Sequence, residues 1–496
     1  MAADTLHPIV AVGRNCWRIA RAGEASVVVD AADYYRHIRA AMVAATKRIF
    51  IVGWDFDTRI ALAPDDHGQG ETLGRFVLNL AHANPTREID ILKWNFGALK
   101  QFARPAAVVW LARWWKTEAI DFRFDSSHPP GCSHHQKIVV IDDQLAACGG
   151  IDISTARWDT SEHKDGDPRR TGPDGKPYMP WHDATMMMRG PVAGHLAELG
   201  RERWSKATKA RLDPVKPVAD TPWPDGLGVM FRDVDIAIAR TRAAYDDLAE
   251  IREIEALFID MICAAERFIY VENQYFTSAK IGAAIAERMA EPDPPEIVMV
   301  MPRRADGWLE QKAMDGARLK LVAAIGAKDR RNRFRVYVPV TAGGTDIYVH
   351  AKVSIVDDRL LRVGSANLNN RSQGLDSECD VIIDAALPAN ANTPATITAL
   401  RHRLIAEHLA CSPEEFAAAE AKAGSMVAAI EALRGPGKSL ELLPMEGLGE
   451  AEEFIAENEL LDPESPDAML DPIASRGLAK SWAKGRAAIG RRLGRR

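Results

Sequence analysis

Short apolar runs alternate along the chain with longer stretches of helical periodicity. The segments AATKRIFIVGWDF (44–56) and AAERFIYVENQYF (264–276) share one pattern: the end of a helical stretch, a basic residue, then a run that reads as a buried strand. In one part of the chain EIDILKW (88–94) and IDFRF (120–124) follow; in the other, EIVMVMP (296–302) and FRVYV (334–338) follow. Further apolar runs at 186–188 and 381–383 read as matching core strands. Strands that alternate with helices predict an α/β sheet in each half.

The chain also repeats itself in fixed register. His135, Lys137, Asp142, Gly149 and Asp152 recur as His350, Lys352, Asp357, Gly364 and Asn367, each pair separated by 215 residues. The expected fold is therefore two duplicated α/β/α sandwich halves related by a pseudo-twofold, with the active site at their interface. We place the first half at 1–212 and the second at 213–412, joined by the Pro-rich stretch PVKPVADTPWPDG, where a helix cannot continue. Residues 413–496 form a non-repeating extension. Between Glu441 and Asp471 its charged residues are all acidic, and from Arg476 onward they are all basic. The last segment, with Leu478, Trp482, Ile489 and Leu493, reads either as a basic amphipathic helix on an anionic bilayer or as a solvated tail.

Composition narrows the class. The 496 residues are 47% hydrophobic and 27% charged, which excludes disordered, collagenous and disulfide-stapled chains. The net charge of -6 argues against a general nucleic-acid coat. Six scattered cysteines form no CxxC pair, so no zinc ribbon or redox motif is expected. The N-terminus lacks the apolar core of a secretory leader, and no run is long enough to span a bilayer. The expected location is cytoplasmic or peripheral to a membrane, with leaderless export as an alternative.

The chemistry is carried by two copies of His-x-Lys-x-x-x-x-Asp, HQKIVVID (135–142) and HAKVSIVD (350–357). In a strand, residues i and i+2 share a face, so each histidine and its lysine are expected to point together. Two such strands meeting at the pseudo-twofold would surround one pocket with two imidazoles and two ammonium groups. That arrangement suits a phosphodiester: the lysines neutralise phosphate oxygens, one imidazole attacks phosphorus to form a phosphohistidine, and the other protonates the leaving alkoxide. No metal or other cofactor is required. Each imidazole needs an acceptor on its second nitrogen, and each half offers a carboxylate near a later strand. Asp183 is expected to orient His135, and Glu378 to orient His350. His134 lacks a lysine two residues on and is not assigned a role. One such motif alone is weak; two in register are a strong signal.

These motifs, together with GGIDIS (149–154), RWD (157–159), PWHD (180–183), YVENQYF (270–276), GSANLNNRS (364–372) and DSE (376–378), resemble the phospholipase D superfamily in its two-motif form. The resemblance implies that His135 is the nucleophile and His350 the acid, and that Lys137, Lys352 and Asn367 contact phosphate. It assigns Asp142 and Asp357 a structural part, bracing strand and turn. Asp152 stands opposite Asn367 in the repeat; a carboxylate there would repel phosphate, so it is expected to point away into a structural hydrogen bond.

The implied activity is hydrolysis of a phosphatidylcholine-like phospholipid at a membrane surface to phosphatidate and free headgroup. Alternatives are phosphatidyl transfer of the cardiolipin synthase type and a phosphodiesterase nuclease, for which the acidic balance is unfavourable. Trp54, Trp158, Trp181 and Tyr275 flank the motifs and are candidates for a cation-π wall around a quaternary ammonium headgroup. The polar insertion from Thr160 to Tyr178, which the second half lacks, is expected to overhang the pocket.

Overall fold

The computed structural model describes residues 7–95, 105–216, 221–305 and 308–445. In the first half the strands are β1 (Arg18–Val29), β2 (Arg48–Gly53), β3 (Glu88–Trp94), β4 (Ile120–Asp125), β5 (Ile138–Ile141), β6 (Leu145–Gly149), β7 (Trp181–His182) and β8 (Ala184–Arg189). The second half contributes β9 (Phe231–Arg242), β10 (Ile251–Arg252), β11 (Phe268–Glu272), β12 (Glu296–Val300), β13 (Phe334–Val340), β14 (Tyr348–Val349), β15 (Val353–Val356), β16 (Leu360–Gly364) and β17 (Glu378–Asp384), and β18 (Ser439–Leu442) follows. The apolar runs singled out in the sequence all lie in these strands.

One sheet contains almost all of them, in the order β18-β13-β12-β11-β15-β16-β17-β9-β1-β8-β6-β5-β2-β3-β4. Apart from β18, the order reads the same outward from the β9–β1 pair, as a duplicated chain would produce. At the centre β1 and β9 run antiparallel, with Ala22 opposite Val234. The parallel pairs β2–β3–β4 and β11–β12–β13 lie towards the two edges.

Helices cover both faces, which is why these strands are apolar at consecutive positions instead of alternating. On one face Phe50, Val52, Tyr270 and Val298 share a core with α4 (Pro191–Thr208), α9 (Pro394–Leu409) and α11 (Met426–Leu433). On the other face, Ile49, Ile51 and Ile89 pack with α1 (Ala31–Ala44) and α2 (Leu73–Ala83), while Ile269, Val271 and Ile297 pack with α5 (Glu253–Ala264) and α6 (Ala279–Met289). The first of these cores runs through both halves.

The chain beyond residue 412 continues as folded structure. Ser412 and Glu415 form a capping box on α10 (Pro413–Ala423), and β18 adds antiparallel to the edge strand β13. The acidic stretch beyond residue 445 and the basic tail lie outside the described residues. Among the described residues no helix is long and apolar enough to cross a membrane.

Candidate active site

The two motif strands are anchored by their aspartates. Asp142 and Asp357 each begin a hairpin turn in left-handed backbone (φ 53° and 54°), a conformation that short polar side chains tolerate. The Asp142 carboxylate accepts hydrogen bonds from the backbone amides of Thr46, Lys47 and Arg48 at 2.7 Å. Asp357 accepts from Glu266, Arg267 and Phe268 at 2.7–2.8 Å. Each therefore ties the end of a motif hairpin to the strand that follows the first helix of its half.

The His-x-Lys segments precede β5 and β15 and are not part of those ladders, contrary to the placement of the motifs inside strands. They are extended and bond across to the opposite half. His135 N donates to Ser377 O at 2.9 Å, and Ser377 N returns to Ser133 O. Equivalently, His350 N donates to His182 O at 2.8 Å and Tyr348 N to Pro180 O, next to the two-stranded β14–β7 pair.

This backbone pairing reverses the expected carboxylate assignment. His135 Nδ1 lies 3.0 Å from both oxygens of Glu378, and His350 Nδ1 lies 2.7 Å from Asp183 Oδ2. Each imidazole is held by the carboxylate of the other half, because that residue directly follows the one its own backbone is bonded to. Asp183 and Glu378 are both fully buried. Burial pushes Glu378 up to about 8 and Asp183 up to about 6. Both histidines are held well below their ordinary value, first by burial and then by nearby cations that include both motif lysines. The ammonium groups of both halves thus act on both rings.

The lysines differ. Lys137 Nζ donates to His135 O at 2.8 Å and lies 3.1 Å from Asp152 Oδ2. Lys352 Nζ donates to His350 O and to Gln274 Oε1, the latter at 3.1 Å. Asp152 therefore corrects the expectation that it turns away: one oxygen accepts from the amides of Trp54 and Asp55, and the other faces the motif lysine. Lys352 is fully buried, and burial draws it down to about 7. Asn367 is 3% exposed; its Oδ1 has no hydrogen-bond partner, and its backbone carbonyl accepts from Gln373 Nε2.

Several residues of the site were missed in the sequence. Ser365 and Ser372 hydroxyls donate to the two Glu378 oxygens. In the first half the position equivalent to Ser365 is Gly150, where a Cβ would lie 2.1 Å from Asp183 Oδ1. Arg157 stacks over Trp181 at 4.1 Å, and Trp181 lies 5.1 Å from the His350 ring. The 215-residue register places Ser372 opposite Arg157, and that mismatch is the signal by which both could have been found.

Three of the four candidate aromatic residues, Trp54, Trp158 and Trp181, are in contact with the protein's own cations. Trp54 packs edge-on against His135 and stacks on Trp94, with Lys137 Nζ 5.8 Å from its ring. Arg169 covers Trp158. Tyr275 is half-buried. The insertion that begins at Thr160 reaches the second half, where Asp165 accepts hydrogen bonds from Thr341 Oγ1 and Gly343 N. With the loop that carries Arg59 it encloses a cavity of about 410 Å³ lined also by Tyr35, Ser154, Trp158 and Tyr178. His134 is buried between Ser377 and Asp125, in a pair that Arg203 completes, and burial draws it down to about 4.

Comparison with known proteins adds three observations. Residues 258–395 match the family model described as cardiolipin synthase, PLD-like domain. Phospholipase D1 of Saccharomyces cerevisiae is 26% identical over 373 residues, covering 56% of this chain and 22% of that protein. Phospholipase D alpha 1 of Nicotiana tabacum is 26% identical over 403 residues, covering 57% of this chain and 50% of that protein. The chain spans half or less of the length of these relatives. The crystal structure of phosphatidylserine synthase from Haemophilus influenzae Rd KW20 superposes with a TM-score of 0.55 at 12% identity, over 88% of this chain and 95% of that one, so the two share a fold.

Proposed function

We propose a reaction on the premise that the chain belongs to the phospholipase D superfamily. The reaction is hydrolysis of a phosphatidylcholine-like glycerophospholipid to phosphatidate and free headgroup. The observation that supports it is the crossed pairing of His135 with Glu378 and His350 with Asp183, with a lysine beside each imidazole.

A carboxylate on Nδ1 leaves Nε2 to meet the substrate. Nε2 of His135 attacks phosphorus, the bond from phosphorus to the headgroup oxygen breaks, and His350 gives that oxygen its proton. Water then attacks the phosphohistidine and returns a proton to His350, and the phosphorus–nitrogen bond breaks to release phosphatidate. The cationic surroundings that disfavour imidazolium are offset when a phosphodiester anion lies between Lys137 and Lys352, so substrate binding favours the protonated His350 that the first step needs. Asn367 completes the phosphate-binding set by donating from its Nδ2 amide to a phosphate oxygen. Catalysis at a lipid surface requires peripheral association, for which the basic tail after Arg476 is the candidate.

A second reading, phosphatidyl transfer to an alcohol, is favoured by the family model matched at 258–395. It shares the first half-reaction and differs only in the acceptor. Purified protein in mixed micelles is expected to release choline or ethanolamine, and added primary alcohol to divert product to the phosphatidyl alcohol. Release that occurs only when an alcohol is present would replace hydrolysis by transfer. Cleavage of DNA with none of phospholipid would overturn the substrate class.

A further inference from the structure

Beside the catalytic groups lies a buried cluster that the reaction does not use. It gathers Asp30 at the β1–α1 junction, His163 from the first-half insertion, His182 of β7 and Glu407 of α9. One ligand atom from each lies within 4.8 Å of all the others. Their side chains are 5% exposed or less.

We infer that these four residues form a closed, tetrahedral zinc site that fixes the peptide carrying Asp183. Zinc bound by imidazole nitrogen and carboxylate oxygen at about 2.0–2.1 Å has donor-to-donor edges of about 3.3–3.4 Å. The donor distances seen here lie close to that value. Glu407 Oε1 lies 3.1 Å from His163 Nε2 and 3.0 Å from His182 Nδ1. Asp30 has Oδ1 at 3.3 Å from His182 Nδ1 and Oδ2 at 3.8 Å from His163 Nε2, and one of these two oxygens would be the fourth donor.

The outer groups fit the same reading. The second nitrogen of each imidazole faces a further carboxylate: His163 Nδ1 lies 2.9 Å from Asp159 Oδ2, and His182 Nε2 lies 2.9 Å from Glu272 Oε2. Such partners fix the orientation of metal-bound histidines and raise their basicity. They are themselves held, Asp159 by Arg170 at 2.9 Å and Glu272 by the Tyr270 hydroxyl at 2.7 Å. Two carboxylates balance the charge of one divalent ion. Protein atoms fill all four positions, which is the pattern of a structural ion and not of one that activates water.

The site also has a mechanical consequence. Asp30 N donates to Asp183 O at 2.7 Å, Asp183 N donates to Asp30 Oδ1 at 3.2 Å, and His182 O accepts from His350 N. An ion on Asp30 and His182 would pin the backbone on both sides of the carboxylate that orients His350. Three of its ligands come from the first half and Glu407 from the second, so it would also clamp the halves together. None of this depends on the substrate proposed above.

The full chain, produced in zinc-supplemented medium and purified without chelators or nickel resin, is expected to hold about one zinc per chain by elemental analysis. His135→Ala, outside the cluster, is expected to retain it, and Glu407→Gln and His163→Ala to lose it at least tenfold. If those variants do not fold, the wild type decides. A strong chelator is expected to lower its melting midpoint, and zinc but not magnesium to restore it. Less than a tenth of an equivalent of zinc after dialysis against excess metal, with a midpoint indifferent to chelator, would mean that the cluster is only a hydrogen-bonded ionic network and would overturn the inference. A stoichiometric metal other than zinc would overturn the zinc assignment.

Discussion

The two imidazoles are held by the same backbone device and by different side chains. Both His-x-Lys segments bond across to the opposite half, so each ring meets a carboxylate that is distant in the chain. Around His135 that carboxylate is the longer glutamate, buttressed by Ser365 and Ser372. Around His350 it is the shorter aspartate, lodged against Gly150 with an amide hydrogen bond from Ala184. The geometry that must be shared is built into the backbone, and the difference in role is left to side chains. Neither half can hold its own histidine alone, so the site exists only where both are folded together.

The histidines test that division most severely. His135→Ala and His350→Ala are each expected to lower turnover of a natural phospholipid by roughly ten-thousand-fold or more, and the double variant little further. They should part on a substrate with a p-nitrophenyl leaving group, which needs no proton to depart. There His350→Ala is expected to recover much of its formation of phosphohistidine, and His135→Ala to form none. Equal recovery in both would remove the distinction between nucleophile and acid.

The next largest effect is expected from Glu378→Gln, which keeps the shape but replaces the negative charge and one of the two acceptor oxygens with a neutral donor amide that no longer sets the tautomer, at a cost of roughly a hundredfold to ten-thousand-fold in turnover. Stability should move the other way. Burial raises this carboxyl from 4.5 to about 8, so the folded chain holds a proton that the unfolded chain releases. The associated stability is present below pH 4.5 and is lost as pH rises through about 8. Melting curves from pH 5 to 9 should therefore show the wild type falling relative to Glu378→Gln, with the variant ahead at pH 8 and above. Wild-type turnover should climb over the same range as the carboxylate forms. Parallel melting curves would place the carboxyl in its ordinary range.

These pairings also mark where the sequence stops being legible. The runs at 88–94, 120–124 and 334–338 are strands because short runs rich in β-branched and aromatic residues favour extended backbone packed on a covered face, and that preference is local. The crossing is not local. Sequence proximity assigns Asp183 to His135 and Glu378 to His350, whereas the observed partners are 243 and 167 residues apart. They are chosen by the bonds of His135 to Ser377 and of His350 to His182, which no local pattern announces. The central strands β1 and β9 escaped for a related reason. Each mixes charged residues with apolar ones, as in FRDVDIAIARTR, and their pairing depends on the other half of the chain. The repeat register did carry the pairing of Asp152 with Asn367, but not that Asp152 would face Lys137.

The lysines sharpen the comparison further. Lys352 is buried with a neutral partner, Gln274, while Lys137 shares its charge with Asp152. A phosphate oxygen arriving between them meets no competing carboxylate on Lys352, and its negative charge favours the ammonium form that burial opposes there. Lys352→Ala is therefore expected to lower kcat/KM by roughly a hundredfold to a thousandfold, in the range of losing one electrostatic contact to the transition state, and Lys137→Ala by roughly tenfold less. Steady-state kinetics on micellar substrate decides it, and a larger loss at Lys137 would reverse the assignment.

Asp152→Asn should give the smallest effect on activity, and the only gain in it. The asparagine carbonyl can still accept from the Trp54 and Asp55 amides, so the loop should stand. What disappears is the negative charge 3.1 Å from Lys137 Nζ. In the wild type, substrate must compete with that charge for the ammonium group; in the variant it need not, and the first half comes to match the Asn367 side. KM is expected to fall by roughly threefold to tenfold, the scale of about 1 kcal/mol for one typical hydrogen bond. Inhibition by inorganic phosphate should tighten in step, because the same oxygens compete for the same lysine. A rise in KM, with the melting midpoint unchanged, would show that Asp152 positions Lys137 for phosphate instead of restraining it.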